Sequence, residues 1–241
     1  MNNKRKDFLL DGKLIPEWLT ELGKEGNATF VASLNPGIPH VLGVRLGDMR
    51  RLAKQIAASD WKKYLDSAGD YYMEERLLHG LVLGAITPDE DVEIYLIRVT
   101  NFVYKINCWS VCDSFRFAGG KRYFTQYEQR FWDYLTDMMQ RPEAYTIRFG
   151  VVMTLTYYIK EAYIDRLLEC YAAIRHSDYY VKMAVAWALS VCYVKFPQRT
   201  YDLLSRGTLD AETLQKTVRK INESLRVDKA SKQIVTQLLK R

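Results

Sequence analysis

The chain has 241 residues, 48% of them hydrophobic, with only 6 Pro and 13 Gly. That composition supports a sizeable core, excludes a disordered polar chain, and favours long helices over a sandwich of many tight turns. The formal net charge of +6, from 35 basic and 29 acidic residues, permits a polyanionic partner without demanding one.

In chain order, residues 1–34 read as one or two modest helices around 16–22, and the Pro- and Gly-bearing segment 35–43 as a loop. Residues 48–58 place Met49, Leu52, Ala53 and Ile56 on one helical face, with Asp48 as N-cap or first-turn acid. Helices are expected over 72–86, over 89–105 after a Thr87-Pro88 cap, and over 109–118, ended by Gly119-Gly120. The series continues with 125–140, a helix from Pro142 to 159, then 162–175 and 178–194. Residues 210–225 and 229–240 close it. No segment gives a convincing strand.

The leading helices begin near 72, 109, 145, 179 and 212, a period of about 35 residues, which is the range of helical repeat arrays. The expected fold class is therefore all-α, an α-solenoid (α-α superhelix) of HEAT-like repeats. It is read as one domain: N-terminal helices to residue 40, a repeat core over 41–225 and a C-terminal helix over 226–241.

Cys108, Cys112, Cys170 and Cys192 contain no Cys-x-x-Cys pair and read as free thiols, and the three His are scattered, so no metal site and no cofactor are expected. The first residues carry too short an apolar run for a signal peptide, and no apolar run reaches a membrane span. The expectation is a cytoplasmic monomer that makes no membrane contact.

Three leading helices are apolar nearly all round, and each breaks that rule once. Asp113 is the only charge between Lys105 and Arg116, Arg148 the only one between Glu143 and Lys160, and Lys182 the only one between Asp178 and Lys195. The separations are 35 and 34 residues, one repeat each, which puts the three at one height on neighbouring helices, a row of about 20 Å. An unpaired charge in a packed helix is costly, so these groups face each other, water or a ligand. An ion-pair ladder from Asp113 to Arg148 is one reading.

Trp109, one turn before Asp113, and Trp187, five residues after Lys182, favour the other reading, a cleft, although core packing explains any single Trp. Arg45, Arg50 and Arg51 lie at one end of the row, and Lys216, Arg219, Lys220, Arg226, Lys229 and Lys232 at the other. Each alone reads as a solvated residue. Together they suit a phosphate backbone. A carboxylate between two indole faces lacks a nucleophile–base pair, metal ligands and a phosphate loop, yet it stabilises a developing cation such as the oxocarbenium of glycosidic cleavage.

At these residues the chain resembles the AlkD-type DNA glycosylases, a HEAT-like family of alkylation-repair enzymes. The matching elements are Gly43-Val44 with Arg50 downstream, Trp109-x-x-x-Asp113, Arg148 in an apolar helix, Trp187 in KMAVAWAL, and KTVRKINES near the C-terminus. Cys108, Ser190 and the Arg45-Leu46-Gly47 run depart from the family pattern. The resemblance implies a monofunctional DNA glycosylase that removes cationic N3-methyladenine- and N7-methylguanine-type bases from duplex DNA, bound to the nucleoid, without a base-flipping pocket. It implies that Asp113 stabilises the sugar cation and positions water, that Trp109 and Trp187 pack on the deoxyribose, and that Arg148 holds a phosphate. Lys182, Arg45, Arg50, Arg51, Lys216 and Arg219 complete the expected DNA contacts. A DNA-binding array without catalysis and a protein-interaction scaffold are the alternatives. Base release separates the first from the enzyme, and a neutral concave face would mark the second.

Overall fold

The computed structural model describes residues 7–88 and 91–240. The chain folds as two compact units, Met1–Glu128 and Gln129–Arg241.

The first unit opens on a two-residue hairpin, β1 (Leu9–Leu10) antiparallel to β2 (Lys13–Leu14), with Leu9 facing Leu14 in the register. This small strand pair corrects the expectation of none. Its signal is present in the sequence: Asp11-Gly12 take φ of 49° and 78°, the left-handed pair that a two-residue hairpin turn needs. The helices that follow are α1 (Ile15–Gly23), α2 (Ala28–Leu34), α3 (Leu46–Ala57), α4 (Trp61–Ser67), α5 (Met73–Ala85), α6 (Val92–Val103), α7 (Trp109–Ser114) and α8 (Gly120–Gln126). The second unit holds α9 (Glu128–Met138), which starts at its border, then α10 (Ala144–Tyr157), α11 (Ile164–Ala173), α12 (Tyr179–Lys195), α13 (Pro197–Ser205), α14 (Ala211–Glu223) and α15 (Lys229–Thr236), with a closing 3-10 turn at Gln237–Lys240.

The protein is all-α in its architecture, and the expected spacing holds: leading helices start at Met73, Trp109, Ala144, Tyr179 and Ala211. Within the first unit α3 packs on α5 and α5 on α7; within the second α10 packs on α12 and α12 on α14. The apolar character of α10 follows from that position, since Thr146 to Leu155 are buried without interruption. Short acids start several of the helices. Asp60, Asp178, Asp210 and Asp228 each accept a backbone N–H of the first turn. Phe102 and Phe115 stack at 5.5 Å in the first core, and Phe131, Trp132 and Phe149 fill the second. Truncating any of these to Ala costs about 3–5 kcal/mol.

Several boundaries differ from the sequence reading. Helices α4 and α13 were not expected. The expected start at Asp89 lies outside the described residues; α6 begins at Val92, and its cap is Asp91, which accepts the Glu93 N–H at 2.7 Å, rather than Thr87-Pro88. Asp48 is a first-turn acid of α3, with Arg45 in the N-cap position. Helix α7 stops at Ser114, because Phe115 turns extended and sends Phe115 and Phe117 into the core, where Ala118 donates its N–H to the Tyr95 hydroxyl at 2.9 Å. The single helix expected over 125–140 is two, broken at Tyr127.

The four cysteines are unpaired, and three of them are buried. No helix of the described residues is long and apolar enough to cross a membrane, and none of their His, Cys, Asp and Glu side chains are grouped to hold a metal ion.

Candidate functional site

In the first unit, α2, the loop after it, and the starts of α3, α5 and α7 line a cleft of about 780 Å³. Trp109 opens α7 after an extended Cys108, and Asp113 follows one turn later, so both side chains reach the same cleft. Trp109 is half-buried and donates its indole N–H to the Leu34 carbonyl at 2.8 Å. Asp113 is half-buried as well. Arg116 donates to the Asp113 and Phe115 carbonyls at 2.8 and 2.5 Å, which satisfies the open C-terminal end of α7.

Arg45 and Arg50 line the same cleft, and neither forms an ion pair among the described residues. Arg51 does not line it; it pairs with Asp48, one turn back on α3. Gly43 and Val44, singled out in the sequence, line it too; sequence reasoning missed the rest of the lining. Phe30 and Leu34 of α2 are 58% and 43% exposed, and Glu25, Asn27 and Asn35 flank them. Nothing in ATFVASL marks that helix as a cleft wall, since its few apolar residues read equally as a short core-facing turn.

One buried acid holds the wall in place. Glu74, at the start of α5 and fully buried, accepts the Leu42 N–H at 3.0 Å and the Gly43 N–H at 2.7 Å. Gly43 has φ of 75°, and a Cβ there would sit 2.2 Å from the Ala28 nitrogen, so only glycine fits. Its carbonyl accepts the Asn27 N–H at 3.0 Å, and the Asn27 side chain caps α2 on the Phe30 N–H at 2.9 Å. Burial pushes the Cys108 thiol up from its ordinary value, against smaller opposing effects of the Val111 and Ser110 N–H groups and Arg76.

The second unit holds the other lone charges. Arg148 of α10 is 6% exposed and donates to the Tyr180 carbonyl at 2.8 Å, in the first turn of α12. Tyr145 and Tyr180 stack beside it at 5.8 Å. Lys182 reaches Glu212 at 2.5 Å and Asp210 at 3.5 Å, both at the start of α14. Glu212 and Asp210 hold the Lys182 ammonium above its ordinary value, and Lys182 and Lys216 hold the Glu212 carboxyl below its own. Within this unit the row is thus a ladder, with Arg148 tying α10 to α12 and Lys182 tying α12 to α14.

Trp187, on the stripe of Tyr180 and Met183, is 37% exposed, although its neighbours from Val185 to Ser190 are otherwise buried. Lys216 meets Glu212 at 3.1 Å and lies over the Tyr179 ring at 4.8 Å. Arg219 and Lys220 both hold Glu223, at 2.9 and 2.8 Å. The basic residues of α14 therefore have carboxylates of their own.

The first-unit cleft combines aromatic faces with two carboxylates, Asp113 and Glu25, and three cations, Arg45, Arg50 and Arg116. Residues of these types have the chemistry to hold an anionic backbone and to stabilise positive charge forming next to it. No curated protein and no solved structure matches the chain. The family described as DNA alkylation repair enzyme matches residues 15–221, well over half of the chain, and the protein belongs to that family.

Proposed function

We propose that the protein is a monofunctional DNA glycosylase that hydrolyses the N-glycosidic bond of cationic alkylated purines in duplex DNA. The observation that carries this reading is the cleft in which Asp113 and Trp109 stand together with Arg45 and Arg50.

An N3- or N7-alkylated purine already carries a positive charge. When the C1′–N bond breaks, the base leaves with the bonding electron pair and becomes neutral, so no strong general acid is needed. The positive charge passes to the sugar. There the Asp113 carboxylate stabilises it and orients a water for attack on C1′, and the Trp109 indole face adds a cation–π contribution. The water's proton leaves through Asp113 to solvent, and the products are the free base and an abasic site. Arg45 and Arg50 hold the flanking phosphates. No step calls on a base pocket, because the leaving group's own charge does the work that base recognition does elsewhere. The roles of Trp187 on the deoxyribose and of Arg148 on a phosphate rest on the sequence resemblance, as do DNA contacts by Lys182, Arg51, Lys216 and Arg219. The same reading takes the protein as a cytoplasmic monomer.

The test is incubation with methylated duplex DNA and chromatographic detection of freed bases. Wild-type protein releases 3-methyladenine and 7-methylguanine. Asp113→Asn loses about a hundredfold or more in rate, while affinity for DNA changes by no more than a few-fold. Release by Asp113→Asn at the wild-type rate would remove Asp113 from the mechanism. Salt-dependent binding with no release by the wild type would favour the DNA-binding array instead.

A further inference from the structure

Helix α2 has no buried residue, and yet it walls the cleft and accepts the Trp109 indole N–H. Its position is therefore not set by packing on a core. Hydrogen bonds at its two ends set it instead. At the first end, Asn27 donates its N–H to the Gly43 carbonyl at 3.0 Å. At the other, the Leu34 carbonyl receives the Trp109 indole at 2.8 Å.

The Gly43 carbonyl is itself aimed by Glu74. That carboxylate is fully buried and binds two consecutive backbone N–H groups, those of Leu42 and Gly43. A carboxylate accepts with both oxygens, whereas a carboxamide offers one acceptor oxygen and turns two N–H donors toward the loop. A continuous chain thus runs from Glu74 through Leu42-Gly43 and Asn27 to Leu34 and the Trp109 ring, all within the first unit.

We propose that Glu74 is a positioning residue: acting through the 42–43 loop and α2, it fixes the orientation of the Trp109 indole in the cleft. This rests on the glycosylase reading only for its effect on rate; the orientation itself is independent of any activity. Trp109 is the group that faces the reacting sugar, so an indole that has lost its anchor presents its face at the wrong angle. A misplacement of about 1 Å at such a site costs up to about a hundredfold in rate.

The experiment follows the indole N–H resonance of Trp109 in a ¹H–¹⁵N spectrum of the full chain, identified by its loss in Trp109→Phe. In Glu74→Gln this resonance moves upfield and its exchange with water accelerates, while that of Trp132, buried in the second unit, stays in place and reports that the protein is folded. Asn27→Ala, an exposed change that removes the α2 cap, moves the Trp109 resonance in the same direction and keeps the test open if Glu74→Gln does not fold. In the same samples, release of methylated base falls about tenfold or more in kcat, with KM within about twofold. A Trp109 resonance unmoved in Asn27→Ala and in folded Glu74→Gln overturns the proposal, and so does a displaced resonance with wild-type release. Absence of release from the wild type overturns the glycosylase reading instead, and the resonance then decides the coupling alone.

Discussion

His79 lies on α5, 4% exposed, with its ring 5.5 Å from Phe102, and its Nδ1 has no hydrogen-bond partner among the described residues. Burial, with a smaller contribution from Lys105, pulls its pKa down from 6.5 to about 3. The imidazole is therefore neutral in the fold and charged in the unfolded chain at mildly acid pH. A depressed folded pKa gives stability that is present above the unfolded value and lost as pH falls toward the folded one, here from 6.5 to about 3. His79→Leu removes that titration along with the unsatisfied nitrogen. Its urea midpoint is expected to equal or exceed that of the wild type at neutral pH and to fall less steeply through the acid window. A variant that loses stability as steeply as the wild type would show that carboxylates alone drive the acid limb.

Between elements, the same reasoning applies to the tie from α12 to α14. Lys182 is the one charge on the apolar stretch of α12 and is held by Glu212 and Asp210. The Glu212 carboxyl is lowered below 4.5, so its contribution is present above that value and lost as pH falls through the folded pKa. Lys182 is raised above 10.5, so its contribution is present below that value and lost in strong alkali. Lys182→Met releases Glu212 to Lys216 alone, and the measured result should be a small loss of stability near neutrality matched by a shallower loss below about pH 4.5. An acid limb identical to that of the wild type would mean that Lys216 suffices for Glu212. Periodicity made this architecture readable in advance. Helices packed on both sides must be apolar all round, and a lone charge in such a helix stands out at a spacing of one repeat. Asp113, Arg148 and Lys182 stand out in the sequence for that reason; Trp109 was singled out by its place one turn before Asp113 and Arg45 and Arg50 as basic residues at one end of the row, and Asp113, Trp109, Arg45 and Arg50 line one cleft. What was not legible depended on tertiary contacts. Helix α7 stops early because Phe115 and Phe117 are worth more in the core than in a helix, and the α8–α9 break at Tyr127 has no proline or glycine to announce it. Glu74 reads in sequence as an ordinary first-turn acid; only the fold brings the Leu42 and Gly43 N–H groups to it.

For the molecule as a whole, a net charge of +6 says less about binding DNA than the disposition of its cations does. Seven were expected to meet phosphate: Arg45, Arg50, Arg51, Arg148, Lys182, Lys216 and Arg219. Four of them already hold carboxylates, Arg51 with Asp48, Lys182 and Lys216 with Glu212, and Arg219 with Glu223. A cation neutralised by its own carboxylate adds little net charge to the surface that phosphate meets, so it displaces few counterions. Seven phosphate contacts would give a log–log dependence of affinity on salt with a slope of about −6; if the four stay with their acids and Arg148 stays buried against the Tyr180 carbonyl, Arg45 and Arg50 give about −2. Fluorescence anisotropy with a labelled duplex across a salt series measures this directly. Arg50→Gln should make the slope shallower by about one, and Lys216→Gln should leave it unchanged, because Lys216 spends its charge on Glu212 and the face of Tyr179. A slope near −6 that loses one unit in Lys216→Gln would show instead that phosphate draws the α14 cations away from their acids when DNA binds. A slope near zero would count against any DNA-binding role for the cleft.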